Sequence, residues 1–414
     1  MKRTDVIIVG AGQAGLAMSR SLSRRGVDHV VLERDRIGER WRSERWNSLR
    51  LLTTNAHSAL PGLAHEGDPE HFLAAADFAN YLDRYAAAFT VPVVTGAEVL
   101  SVEPSYGGFQ VAPTEQCWYA RAVVVATGAC DVPSRPPQAA HLPASVEQIS
   151  PTDYRAPEDL PDGNVLVVGA SSTGVQLAEE IHRSGRHVTL AVGEHTRMVR
   201  RYRGRDIFDR MHAAGILDDP VDERGNPNAA RRQPSTQLIG RDDHANLDLP
   251  TLERQGVRLV GRFGHIDGGT VVFHDDLEQT TLNSHMRMLR TLQRIDRFVD
   301  GSGEPAPPSE IDRIWPFLKR GGAAAVDLDR QNIKSVLWAT GYRRRYGWLN
   351  IPVFDKDGEI VHRGGATNAP GLYVLGLTFL RTRRSSFIDG CGLDAEEIAR
   401  SVHDHLGDGV RKAA

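Results

Sequence analysis

The sequence predicts an α/β fold with two Rossmann-like dinucleotide-binding domains, the first discontinuous and the second inserted within it. Three observations carry that prediction. Two glycine turns, "VGAGQAGLAMSRSL" and "VGASSTGVQLAEEI", each follow a short β-branched apolar run and open a helical pattern. Each is followed by another apolar run, "HVVLERD" or "HVTLAVG", which completes a βαβ unit. Two further strands, "RAVVVATG" and "SVLWATG", end in glycine at Gly128 and Gly341.

The first unit begins with "DVIIVG", a buried-strand pattern ended by Gly10, and its helix stops at Gly26. The second begins with "NVLVVG". "GLYVLG" supplies a strand ending at Gly376, and "LDAEEIARSVHDHL" a C-terminal helix. On this reading the first domain covers 1–155 and 326–414, its chain returning near Ile333, and the second covers 156–325. Two stretches fit less well. One, 200–246, is rich in Arg, Asp and Asn; the other, 277–320, is helical and then proline-rich. They are expected to be surface insertions or caps over a substrate pocket.

The 414 residues suffice for two or three domains, and 40% hydrophobic with 25% charged residues is an ordinary globular composition. A net charge of −3 creates no field selecting nucleic acid or an anionic membrane. Cys117, Cys130 and Cys391 are far apart, which argues against a dithiol centre or a disulfide framework. The chain enters a strand directly after "MKRTD", and no apolar run is long enough to span a bilayer. A cytoplasmic location is expected.

Gly10, Gly12 and Gly15 form G-x-G-x-x-G. The first allows the tight turn, the second lets a diphosphate approach the backbone, and the third lets helix and strand pack closely. With Gln13 and Ala14 they sit at a helix N-terminus suited to an anion. Glu33, followed by Arg34, ends the next strand and suits a ribose with a free 2′-hydroxyl, as in FAD or NAD. The second turn keeps Gly169 and Gly174 but has Ser171 in the middle, followed by Ser172 and Thr173. Its next strand ends in "AVGEHTRMVRR", with His195, Arg197 and Arg200 in place of an acid. Arginine there would accept a 2′-phosphate, so this site reads as NADPH.

These motifs resemble the flavin-dependent monooxygenases with two dinucleotide domains: the FMO and plant YUCCA-like, N-hydroxylating and Baeyer–Villiger enzymes. The likeness extends over "ERWRSERWNSLRLLTTN", "TDYRAP", "VLWATGYR" and "FIDGCG". In places the chain is similar to bacterial flavoproteins of unassigned chemistry. The resemblance implies FAD on the first domain and NADPH on the second. It implies FAD contacts from the first turn and Glu33, from Arg40 and Trp41, and from Ala126, Thr127 and Gly128. Gly376, with the turn at Asp389 and Gly390, would lie near the flavin ring, and Ala339, Thr340 and Gly341 form a second Ala-Thr-Gly return. Asn55, after Thr54, matches an asparagine placed over the flavin and is the candidate catalytic residue; a turn or helix-cap role is the alternative.

The implied cycle is reduction of FAD by NADPH, then reaction with O2 at flavin C4a to oxygenate a small molecule at N or S, or a 2-oxo acid. No metal is required, and "HDH" at His403–His405 reads as helix surface. The linker departs from the family. In "ASVEQISPTDYRAP" the fingerprint Phe, Gly and His become Ala144, Val146 and Ser150, and only the aromatic Tyr154 remains. That keeps an NADPH oxidase or flavin reductase open, besides a non-enzymatic nucleotide sensor. Arg383 and Arg384 in "RTRRSS" either meet an anionic substrate or the flavin, or lie in a solvated loop. Cys391 reads as a packed residue. A homodimer is a further expectation.

Overall fold

The computed structural model describes residues 1–221, 230–311 and 325–413. Both βαβ units form. In the first sheet, Lys2–Val9 lies between Trp118–Val125 and His29–Leu32, parallel to both. Leu372–Val374 and Val93–Val94 extend the parallel order on the two sides. The hairpin Val99–Ser105 and Gly108–Pro113 branches from Trp118–Val125. A parallel strand covered on both faces must be apolar throughout, which is why Val6, Ile7, Ile8 and Val9 are all buried. The helices Gln13–Ser23 and Ile388–Ala413 pack together beside this sheet.

The second sheet has five parallel strands among the described residues. Their order is Arg258–Val260, Val188–Ala191, Asn164–Val168, Ile333–Trp338, Glu147–Ile149. Successive side chains point to opposite faces. Val165 and Val167 meet Leu177 and Ile181 of the helix Ser172–Arg183, whereas Leu166 and Val168 meet Val271, Phe273 and Trp338.

This topology corrects the expected domain boundaries. Ile333–Trp338 does not return to the first sheet, and Glu147–Ile149 already belongs to the second. The crossings therefore lie before Glu147 and after Trp338, not at 155 and 326. Val132–Pro133 and Tyr342–Arg343 pair antiparallel there, so outgoing and returning chains run side by side. Ile333–Trp338 stands beside the second glycine-turn strand as Trp118–Val125 stands beside the first.

The expected helix in the second insertion spans Leu277–Ser302. Met288, Leu292, Ile295 and Val299 form its buried stripe against Met198, Tyr202, Phe208 and Met211. Parts of both insertions, 222–229 and 312–324, lie outside the described residues. The first insertion is no loose surface loop: a Cβ on Gly240 would come within 2.2 Å of the Leu51 carbonyl oxygen of the first domain. Among the described residues, no helix is long and apolar enough to cross a membrane.

Candidate functional site

Close contacts force the first turn's glycines. Gly10 has φ +106°, and a Cβ there would lie 2.8 Å from the Ala126 carbonyl oxygen. A Cβ on Gly15 would lie 1.9 Å from the Gly10 carbonyl oxygen, so helix and strand touch through hydrogen alone. A Cβ on Gly12 would meet nothing within 4 Å among the described residues. Its open side faces a cleft of about 630 Å³ bordered by Gln13, Ala14, Glu33 and Arg34. Arg40, Trp41 and Gly376 also border it, as do Ala126, Thr127 and Gly128.

The cleft's polar groups are held in place. The Glu33 carboxylate accepts the Ala11 N–H at 2.7 Å, which holds it beside the turn. Trp41 Nε1 donates to Gln13 Oε1 at 3.1 Å, and Arg40 pairs with Asp131 at 2.5 Å. A ribose acceptor, an exposed helix start and a guanidinium on one cleft suit a dinucleotide such as FAD. Trp348 also borders the cleft; sequence reading missed Asp131, which has no motif of its own, and Ser386, whose "RTRRSS" run drew notice only for its arginines.

Asn55, Thr54, Asp389 and Gly390 are not on that border. Thr54 is buried. Asn55 is 7% exposed; its Nδ2 donates to the Asp68 carbonyl at 2.9 Å, and its Oδ1 is buried without a partner among the described residues. Gly390 packs on the Arg384 carbonyl, where a Cβ would come within 1.8 Å. Asp389 bonds Arg384 at 2.6 Å and faces His57 Nδ1 at 3.5 Å. His57 Nε2 meets Asp209 of the first insertion at 2.7 Å. Burial alone would lower the His57 pKa, but the bonds to Asp209 and Asp389 outweigh it and raise it to about 9. The "RTRRSS" run is no solvated loop: Arg384 pairs with Asp218 and Asp389, and Arg383 lies 3.9 Å from Asp219.

The second turn repeats the first. Gly169 also has φ +106°, and a Cβ there would lie 2.3 Å from the Ala339 carbonyl oxygen. A Cβ on Gly174 would lie 1.8 Å from the Gly169 carbonyl oxygen. Ser171 has φ −78° and ψ −172°, against −81° and −173° for Gly12. The serine therefore sits in extended backbone open to any residue, and its hydroxyl does not cap the helix. Ser172 and Thr173 begin that helix. The Thr340 hydroxyl donates to the Ser134 carbonyl, and Gly341 turns at φ +85°.

The basic cluster beyond the next strand needs correction. Arg200 is fully buried and paired with Asp206; it donates to the Leu52 carbonyl at 2.8 Å and lies 4.8 Å from the Phe72 ring centre. A guanidinium out of water requires such partners, so Arg200 fastens the insertion to the first domain and is no phosphate ligand. His195 is 1% exposed, and burial, with Arg287 and Arg197 nearby, lowers its pKa to about 4. It is neutral and supplies no charge. Arg197 pairs with Asp248 at 2.9 Å. Glu194 is the exposed residue at this strand end.

Residues 7–204 match a family model described as pyridine nucleotide-disulphide oxidoreductase. An uncharacterised CzcO-like oxidoreductase of Geobacillus kaustophilus is 30% identical over 405 residues, spanning 97% of this chain and 99% of its own. The chain belongs to the CzcO-like oxidoreductases. The chain is also 25% identical over 413 residues to the rice indole-3-pyruvate monooxygenase YUCCA1, covering 96% of the chain and 91% of the relative. Among solved structures, the flavin-containing monooxygenase from Stenotrophomonas maltophilia shares the fold, with a TM-score of 0.66 at 18% identity. That match covers 98% of this chain and 100% of the other.

Proposed function

We propose that the chain is an FAD-containing, NADPH-dependent monooxygenase acting with O2 on a small organic substrate. The observation that carries this reading is the repeat of one turn geometry in two sheets: Gly10 against Ala126, Gly169 against Ala339. One dinucleotide would bind each turn. The monooxygenase activity of the rice relative and the flavin of the Stenotrophomonas protein support the same assignment. Substrates oxygenated at N or S, or 2-oxo acids, are the classes proposed.

Bound FAD would supply hydride acceptance and oxygen activation, while the chain binds, orients and excludes water. The amides at Gln13 and Ala14 would face the diphosphate, and Glu33 would accept a ribose hydroxyl. The Asn55 Oδ1, unpartnered among the described residues, would accept a donor from the nicotinamide retained after hydride transfer or from reduced oxygen. Exclusion of water matters because reduced flavin open to water passes its electrons to O2 and releases hydrogen peroxide instead of oxygenating a substrate.

A second reading, a NADPH oxidase, is favoured by the linker. Ser150, in place of the family histidine, is 2% exposed and bonds Thr152 and Asp153. Anaerobic reduction by NADPH followed by mixing with O2 separates the two. Slow reoxidation, with hydrogen peroxide released only as the oxidised flavin returns, supports the monooxygenase. Immediate reoxidation with stoichiometric peroxide supports the oxidase. Absence of flavin reduction by NADPH would sink both.

A further inference from the structure

The second turn lies against a buried side-chain amide from the first insertion. In the first turn, the Ala11 carbonyl accepts the Gly38 N–H at 3.1 Å, and the Ala11 N–H donates to Glu33 at 2.7 Å. Gly38 and Glu33 both border the cleft. Ala170 is the matching residue of the second turn. Its carbonyl accepts from the Gln237 side chain, Nε2, at 2.7 Å. Thus an amide from the first insertion stands where Gly38 stands in the first domain.

Gln237 is held from several directions. Thr236–Gln237 pairs in parallel with Thr196–Arg197, just beyond the strand Val188–Ala191. The neighbouring Leu238 carbonyl accepts from Gln176 Nε2 at 2.7 Å, and Gln176 Nε2 also reaches Ser172 Oγ at 3.0 Å at the helix start. Gln237 is 0% exposed. A carbonyl only accepts, so the bond to Ala170 fixes which end of the amide is nitrogen. That leaves Gln237 Oε1 buried beside the turn, without a partner among the described residues. Such an oxygen is costly unless a donor arrives.

The register says which donor is missing a partner. Gly10 N–H bonds the Leu32 carbonyl, and Gly169 N–H bonds the Ala191 carbonyl, so Leu32 matches Ala191 and Glu33 matches Val192. The buried Val192 accepts nothing from a ribose. We propose that Gln237 Oε1 accepts the 3′-hydroxyl of the adenosine ribose of a pyridine dinucleotide on the second turn, the task Glu33 has on the first. The amide is neutral, so it admits a neighbouring 2′-phosphate that a carboxylate would repel. This assignment rests on the reading of the second turn as a nicotinamide dinucleotide site.

The test is calorimetric titration of the FAD-loaded protein with NADP+, NAD+ and 3′-deoxy-NAD+, comparing wild type with Gln237→Met and Gln237→Glu. Gln237→Met is expected to weaken NADP+ and NAD+ about tenfold each, a single hydrogen bond's worth. It should leave the 3′-deoxy analogue unchanged, an outcome that general damage to the turn does not produce. Gln237→Glu is expected to weaken NADP+ more than NAD+. Binding of both natural dinucleotides by Gln237→Met within twofold of wild type overturns the assignment, as does an equal loss for the 3′-deoxy analogue. If wild type binds neither dinucleotide, the nucleotide reading of the second turn falls, and this assignment with it.

Discussion

Arg200 and Asp206 form an ion pair with both side chains out of solvent, at the contact between the first insertion and the first domain. Arg200→Met leaves Asp206 buried and uncompensated, a loss of about 3–5 kcal/mol. We expect a lower melting temperature, largely restored when Asp206→Leu is added. NADP+ affinity, measured where both proteins are folded, should stay within twofold. A tenfold loss of NADP+ affinity with unchanged melting would return Arg200 to the phosphate site.

His57 makes the same contact pH-dependent. It faces Asp209 on the insertion and Asp389 on the terminal helix, with the His212 ring at 5.5 Å and Arg384 behind Asp389. Its folded pKa, about 9, lies above the ordinary 6.5. The imidazolium therefore stabilises the fold fully below pH 6.5, and the contribution is lost as pH rises through about 9. The amount is on the order of 3 kcal/mol. Melting temperatures across that window should fall for wild type and stay flatter for His57→Gln. Parallel curves would refute the charged pair.

The glycine turns were legible because each glycine answers to a contact the motif itself implies, Gly15 against Gly10 and Gly174 against Gly169. The residues that complete the cleft were not. Asp131 and Ser386 lie far apart in the sequence and meet only in the folded cleft. Arg200 was misread for a related reason. A run of arginines shows charge, but not the carboxylate of Asp206 or the rings of Phe72 and Phe208 that enclose one of them. Ile333–Trp338 was legible as a strand, but an apolar run does not name its neighbour, and its pairing with Asn164–Val168 places it in the second sheet.

Asn55 gives a prediction about coupling. Removing its amide frees the Asp68 carbonyl, so Asn55→Ala should cost about 1–2 kcal/mol of stability, readable by denaturant titration. NADPH-driven flavin reduction should change by less than about threefold, since hydride transfer depends on how the two turns hold their dinucleotides. The fraction of electrons appearing as hydrogen peroxide should rise. An unchanged peroxide yield would assign Asn55 to the turn alone.

The two third glycines separate the two sites. In each turn a methyl group would fall within 1.9 Å of a carbonyl oxygen, so Gly15→Ala and Gly174→Ala both push helix and strand apart. The damage is local to one sheet: the atoms nearest either methyl belong to Gly10 and Ile8 in the first, and to Gly169 and Ala339 in the second. Gly15→Ala should purify with little flavin, read from the ratio of visible to ultraviolet absorbance. Gly174→Ala should keep its flavin and lose reduction by NADPH, while dithionite still bleaches it. Ser171→Gly is the control: its backbone conformation matches that of Gly12, so the exchange should leave melting within about 1 kcal/mol and FAD content unchanged. A flavin-free Gly174→Ala protein that is otherwise folded would mean that the second turn supports the first cofactor, and that the two sheets do not bind independently.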